Sequence, residues 1–202
     1  NYRLVHTGQH YDSKMSGDFF TQLGIPEPHL NLGAGGGSQA EQTSAIMIGY
    51  EKAIMDQRPD LVVVVGDVTS TMACSVTAKK MNNITVAHVE GGIRSRDLTM
   101  PEEINRLVTD AITDLFFTTS ESANQNLKNE GVPKDKIHFV GNTMIDTLLK
   151  QMTNFRKPDF FDKLELKVGV YIVMTLHRPA NVDAGEQLSK LIPANLQIYE
   201  AP

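Results

Sequence analysis

Short apolar runs rich in β-branched residues alternate along the chain with longer segments of helical period. Uniformly apolar runs are typical of parallel strands that helices cover on both faces. We expect consecutive strands at residues 61–65, 84–88, 115–118 and 137–140, with 61–65 a central strand buried on both faces. The pattern predicts an α/β fold, a Rossmann-like parallel sheet with flanking helices.

Helix signals and a linker candidate divide the chain further. The segment Ser38-Gln39-Ala40-Glu41 has the spacing of a capping box and predicts a helix that ends at Arg58-Pro59. Pro101 suits the first turn of another helix. The segment 156–158 (Arg-Lys-Pro) is the best linker. We therefore expect a Rossmann-like domain at residues 1–155. A linker and the start of a second domain then occupy 156–202, with a helix at 159–164 and a strand at 169–175.

Composition excludes several classes of function. The chain has a formal net charge of -5 and scattered basic residues, so nucleic acid is a poor candidate partner. No secretory signal and no apolar run of ~18 residues is present, which favours a cytoplasmic protein without a membrane partner. Cys74 is the only cysteine and is expected to be a buried thiol. No spacing of His, Cys or carboxylates resembles a zinc site.

Ionisable residues follow several of the predicted strands. In open parallel sheets, ligands bind beyond the carboxyl ends of the strands. Asp67 follows the strand at 61–65, Glu90 follows the next strand and precedes two glycines, and His177-Arg178 follow the strand at 169–175. Charged groups at such positions can be partly desolvated and still reach a ligand. These residues therefore predict a site for acid–base chemistry or for binding an anion.

Each candidate also has a structural explanation. His177-Arg178 could be a surface dipeptide. Asp67 could cap a helix that begins near Thr69. Glu90 could form an ion pair with Arg94. The acids in Pro101-Glu102-Glu103 suit the first turn of a helix whatever the function, because the helix dipole favours them there. His88 is expected to be a core histidine with its hydrogen bonds satisfied.

Five segments in register resemble the non-hydrolysing UDP-N-acetylglucosamine 2-epimerases of bacteria and archaea. They are Gly66-Asp67 after the valine run, 88–94 (HVEGGIR), 101–106 (PEEINR), 141–146 (GNTMID) and His177-Arg178. The resemblance implies a two-domain GT-B fold like that of many glycosyltransferases, usually as a homodimer. It also implies interconversion of UDP-N-acetylglucosamine (UDP-GlcNAc) and UDP-N-acetylmannosamine (UDP-ManNAc) without an added cofactor, for surface polysaccharide precursors.

The resemblance assigns roles residue by residue. The catalytic residues it implies are Asp67, Glu90, Glu102 and His177. Those implied to bind substrate are Gln9, His10, Arg94, Asn105, Arg106, Asn142 and Arg178. The implied reaction eliminates UDP across the C1–C2 bond to a glycal and then adds UDP back. Carboxylates suit this chemistry because the C2 proton becomes acidic only as the C1–O bond breaks and positive charge develops at the ring.

Three other functions stay open from the sequence. A glycosyltransferase could use the same architecture, and a hydrolysing 2-epimerase would release free N-acetylmannosamine. The third possibility is a catalytically incomplete fragment. The family's first strand with its phosphate-binding loop and most of its second domain have no counterpart in residues 1–202, so we expect a piece of a longer protein.

Overall fold

The computed structural model describes residues 1–8, 20, 22–175 and 189. The chain divides into two compact units, Asn1–Thr153 and Asn154–Pro202. This division does not test the domain limits expected from the sequence, 1–155 and 156–202, and they stay a prediction.

The first unit alternates strands with helices, as expected of an α/β fold. Its strands are β1 (Val5–His6), β2 (Leu30–Asn31), β3 (Leu61–Val65), β4 (Thr85–Val89), β5 (Leu115–Thr118) and β6 (Ile137–Phe139). Its helices are α1 (Gln39–Asp56), α2 (Thr69–Lys80), α3 (Pro101–Ile112), α4 (Glu121–Asn129) and α5 (Thr143–Gln151), with a 3₁₀ turn at Lys134–Lys136. A second 3₁₀ turn, Met152–Asn154, includes the last two residues of the first unit and the first residue of the second. Every described strand pair is parallel: β1 pairs with β2, and the other four form a sheet in the order β3-β4-β5-β6.

The expected helix boundaries are confirmed in detail. The amide of Glu41 donates to Ser38 Oγ at 3.2 Å, and the amide of Ser38 donates to Glu41 Oε2 at 2.7 Å. This reciprocal pair satisfies amides that the first turn of a helix leaves unbonded. α1 ends at Asp56, before Pro59, and Pro101 is the first residue of α3.

The main core lies between α1, α2 and one face of the sheet. Buried side chains from α1, β3, α2 and β4 form one cluster, which includes Ile46, Tyr50, Ile54, Val62, Val64, Ala73, Cys74, Ala78 and Val86. The packing fixes β3 beside β4, so that the loops following these two strands emerge together.

The expectation that β3 is buried on both faces is wrong. Val62 and Val64 are buried, but Val63 and Val65 are each 56% exposed. β3 is the terminal strand of the described four-stranded sheet. The helices α1 and α2 pack only on the face that carries Val62 and Val64. In the described part of the chain, nothing buries the other face.

The second unit contains one short described helix, α6 (Asp159–Lys163). Lys157 forms an ion pair with Asp162 and lies 4.8 Å from the centre of the Phe161 ring. The expectation of a strand at 169–175 is wrong, because residues 171–175 have no regular secondary structure. A strand needs a neighbour for its backbone hydrogen bonds, and no described segment pairs with these residues.

None of the described helices is both long enough and apolar enough to cross a membrane.

Candidate active site

The loops that follow β3 and β4 are joined where the strands end. Val65 and Val89 are register partners, and the amide of Gly66 donates to the Val89 carbonyl at 3.0 Å. Gly66 and Glu90 both have positive φ angles, +72° and +71°. This region is natural for glycine, but it costs a residue such as glutamate on the order of 1–3 kcal/mol. The fold thus holds Glu90 in a conformation that is often found at functional sites.

The carboxylate of Glu90 is available for chemistry. Its side chain is partly buried, and it forms no hydrogen bond or ion pair with any residue in the described part of the chain. A Cβ atom built at residue 66 would lie 3.6 Å from Glu90 Oε2, so the carboxylate lies directly beside Gly66. The structural alternative, an ion pair with Arg94, is wrong because Arg94 pairs with other acids.

Asp67 is held by α3. Arg106 donates from Nη2 to the Asp67 carboxylate, and Asn105 donates from Nδ2 to the Asp67 carbonyl at 2.9 Å. The capping alternative for Asp67 is wrong, since the N-cap of α2 is Val68 and no side chain caps that end. The Asp67 side chain keeps 34% of its surface exposed. Its carboxylate is therefore fixed and charge-paired but still accessible.

Glu102 occupies the first turn of α3 and is exposed. It forms no hydrogen bond or ion pair with another described residue. Residues four apart share a helix face, so Glu102 lies on the same face as Arg106, the partner of Asp67. The three candidate acids are therefore linked: Asp67 and Glu90 lie on joined loops, and Glu102 lies one turn from the arginine that Asp67 binds.

The neighbouring carboxylate, Glu103, has a different environment. It is 1% exposed and accepts hydrogen bonds from the amides of Ser95 and Arg96 and from Arg106 Nη1, at 2.8–2.9 Å. Burial raises the pKa of Glu103, but these hydrogen bonds outweigh it and hold the pKa at about 2. Glu103 therefore anchors the loop before α3 and positions Arg106. Sequence reasoning did not separate its role from that of Glu102.

A second buried network lies behind the two loops. His88 is 1% exposed and contacts Asp110 Oδ1 through Nδ1 at 2.6 Å and the Gly66 carbonyl through Nε2 at 2.8 Å. Asp110 also accepts from the Gly92 amide and from Arg94 Nη1. Burial raises the pKa of Asp110, but the hydrogen bonds and charges of His88 and Arg94 lower it by more. The pKa is therefore below its usual value, and the carboxylate is ionised. His88 is the satisfied core histidine that the sequence predicts.

A family model described as UDP-N-acetylglucosamine 2-epimerase matches residues 1–201. The chain belongs to this family. A UDP-N-acetylglucosamine 2-epimerase homolog of Methanococcus maripaludis is 43% identical over 98% of this chain and 55% of its own length. The UDP-N-acetylglucosamine 2-epimerase of Methanocaldococcus jannaschii is 40% identical over 99% of this chain and 55% of its own length.

Solved structures agree with the family. A crystal structure of the M. jannaschii enzyme in complex with UDP-GlcNAc and UDP superposes with a TM-score of 0.87 at 40% identity, over 99% of this chain and 55% of that chain. The α/β Rossmann-like fold is confirmed, and the structural neighbours are epimerases of GT-B-like fold. The chain spans about half the length of the relatives that it matches.

Four residues expected to bind substrate have partners within the protein. Arg94 donates to Asp110 and Glu130 and is 4% exposed, while Arg106 and Asn105 hold Asp67. Asn142 caps α5 by accepting from the Met144 amide at 2.9 Å. Their substrate contacts stay predictions. The other four family positions, Gln9, His10, His177 and Arg178, lie outside the described residues.

No group of three or more metal-ligating side chains occurs in the part of the chain that the structure describes.

Proposed function

We propose that the longer protein containing this chain interconverts UDP-GlcNAc and UDP-ManNAc. The main support for the proposal is the position of the Glu90 carboxylate. The carboxylate is placed at a strand end by a left-handed backbone, lies beside a glycine, and has no partner among the described residues. A carboxylate without a structural partner at this position is suited to proton transfer. Family membership and the epimerase relatives support the same reaction.

The reaction places two demands on the site. A base removes the C2 proton of the sugar as the C1–O bond breaks, and UDP departs with the bonding electrons, leaving a glycal. UDP then returns to C1, and an acid delivers a proton to the opposite face of C2. Two faces of one carbon call for two proton-exchanging groups, and we assign Glu90 and Glu102 to them because neither has a partner among the described residues.

Asp67 has a different part in the proposal. Its carboxylate forms an ion pair with Arg106, which holds it in place. A fixed negative charge stabilises the positive charge that develops at the sugar ring. We assign His177 and Arg178 to the departing and returning diphosphate, and Gln9 and His10 to substrate contacts, on the family resemblance. No cofactor is needed in this scheme.

The biological setting is proposed on the same grounds. We propose a cytoplasmic homodimer that supplies precursors for surface polysaccharides, as the family resemblance implies. Equilibrium sedimentation of the full-length protein tests the dimer: a mass of twice the chain supports it, and a monomer contradicts it.

Product analysis tests the reaction. The full-length protein is incubated with UDP-GlcNAc, and the products are separated by chromatography. The proposal predicts UDP-ManNAc at equilibrium with substrate and no free sugar. Free N-acetylmannosamine with UDP would indicate a hydrolysing epimerase, and consumption of UDP-GlcNAc only with an added acceptor would indicate a glycosyltransferase. Residues 1–202 alone provide a control that we expect to be inactive.

A second substrate merits a parallel assay. A Pseudomonas aeruginosa relative, a UDP-2,3-diacetamido-2,3-dideoxy-D-glucuronate 2-epimerase, is 38% identical over 98% of this chain. The same acids could epimerise either sugar, because both reactions invert C2. Comparison of kcat/KM for the two sugar nucleotides distinguishes them, and we expect the higher value with UDP-GlcNAc.

A further inference from the structure

We propose that His88 is a positioning residue, which sets the placement of Asp67 relative to Glu90 by holding the carbonyl of Gly66. The inference rests on the proposed function, because it concerns acids that act on one sugar carbon. His88 itself is buried and two residues from Glu90, so it acts through the backbone and not on the substrate.

The peptide groups of Gly66 are held on both sides by β4. The amide donates to the Val89 carbonyl at 3.0 Å, and the carbonyl accepts from His88 Nε2 at 2.8 Å. That carbonyl belongs to the peptide bond that joins Gly66 to Asp67. Because a peptide bond is planar, fixing its oxygen fixes the direction in which the chain enters Asp67. Gly66 adopts a positive φ angle here. Because glycine has no Cβ, its backbone would have wide conformational freedom without these hydrogen bonds.

Asp110 connects the same clamp to the other loop. Its Oδ1 faces His88 Nδ1, and its Oδ2 accepts from the amide of Gly92, two residues after Glu90, at 2.9 Å. One buried carboxylate thus reaches the Asp67 loop through His88 and the Glu90 loop directly. Arg94 forms ion pairs with Asp110 and Glu130 and so places a positive charge beside the Asp110 carboxylate. The network links the backbones that carry two of the three acids.

The two ring nitrogens of His88 allow the positioning role to be separated from a purely structural one. A carbonyl oxygen can only accept, so Nε2 carries a proton. His88→Gln places an amide near the position of Nε2 and can still donate to Gly66. His88→Asn places its amide near the position of Nδ1 and can reach Asp110, but not Gly66. Both variants lose one of the two buried contacts and should lose comparable stability.

The test compares kcat, KM and unfolding midpoints of the full-length wild type and both variants with UDP-GlcNAc. Misplacing a reacting group by ~1 Å can cost ~10²-fold in rate, so we expect kcat to fall at least ~10-fold further in His88→Asn than in His88→Gln. KM should stay within ~3-fold, since a group acting only at the reacting carbon changes kcat and leaves KM. Equal losses of kcat, or losses that follow stability, would overturn the inference.

Two further outcomes are distinguishable. If wild-type protein shows no epimerisation, the proposed function fails before the variants are compared. If both variants fail to fold, NMR of wild type labelled with ¹⁵N-histidine and with glycine carrying ¹³C at its carbonyl provides the second measurement. A protonated Nε2 with a coupling to the Gly66 carbonyl supports the clamp, and an unprotonated Nε2 contradicts it.

Discussion

The replacement Glu103→Gln separates a structural acid from a catalytic one within a single dipeptide. Glutamine keeps the size of the side chain but removes the charge that three donors share: the amides of Ser95 and Arg96 and the guanidinium of Arg106. At least one donor then faces an amide nitrogen or a weaker acceptor. The partly buried Arg106 also loses one of its two carboxylates.

The structure gives the size of the effect. The pKa of Glu103 is about 2 in place of 4.5. At about 1.4 kcal/mol per pH unit, the difference corresponds to ~3 kcal/mol of folding free energy. Removal of one partner from a buried ion pair costs on the order of 3–5 kcal/mol in other proteins. The two figures agree, so we expect Glu103→Gln to lower the free energy of unfolding by roughly 3 kcal/mol near pH 7.

The pH dependence follows from the direction of the pKa change. A carboxyl group with a lowered pKa stabilises the folded state above its unfolded pKa and loses that contribution as pH falls through the folded value. The stability difference between wild type and Glu103→Gln should therefore be full above about pH 5 and shrink between about pH 4.5 and 2. Urea unfolding at several pH values, followed by circular dichroism, measures it.

The neighbouring replacement Glu102→Gln provides the matched control. Glu102 is exposed and has no partner among the described residues, so stability should stay within ~0.5 kcal/mol of wild type. Its kcat should fall by ~10²–10⁴-fold, the range for loss of a general acid or base. Equal stability of Glu103→Gln and wild type at pH 7 would show that Glu103 does not anchor the fold, and a large loss of stability in Glu102→Gln would show that Glu102 has a structural role.

Three further predictions concern other parts of the fold. Gly92→Ala should lower the unfolding free energy by more than ~2 kcal/mol in urea, because φ is +83° and a Cβ would lie 2.6 Å from the Ala123 carbonyl. The control Gly131→Ala has a similar φ but open space, so it should lose only ~1 kcal/mol, and equal losses would contradict the steric argument. Cys74 is buried, and desolvation raises its pKa to about 12. Iodoacetamide at pH 8 should therefore alkylate it only after denaturation, which mass spectrometry of the Cys74 peptide measures. Rapid labelling of the native protein would disprove its burial. Asn142→Ala should lower stability by ~1 kcal/mol through loss of the α5 cap, and an unchanged thermal midpoint would show that the cap contributes nothing.

The sequence predicted those parts of the fold that depend on local pattern. Short-range rules predict the strands β3 and β5, the capping box at Ser38 and the proline at the start of α3. Burial of both faces of β3 could not follow from its valines, because apolar composition does not specify which elements cover a strand. The strand expected at 169–175 failed for the same reason, since pairing needs a partner elsewhere in the chain.

The candidate site was predictable at its strand ends and not at its supports. Asp67 and Glu90 were found because parallel strands deliver their final residues to one edge. Glu103 and Asp110 were missed, because helix position alone does not show which acid turns inward. Apart from Arg106 on the same helix, their donors come from loops and strands 7 to 22 residues away, so only the tertiary structure reveals them. A polar pattern at Glu103, Arg106 and Asp110, spaced by three and four, was the available signal.

In the proposed reaction, Glu90 exchanges a proton with the C2 carbon of the bound sugar. Deuterium incorporation measures this directly: full-length wild type and Glu90→Gln are incubated with UDP-GlcNAc in deuterated water, and C2 is followed by NMR. We expect deuterium at C2 of both sugar nucleotides with wild type and loss of that exchange in a folded Glu90→Gln protein. Exchange at the wild-type rate in Glu90→Gln, or UDP-ManNAc formed without deuterium, would contradict this expectation.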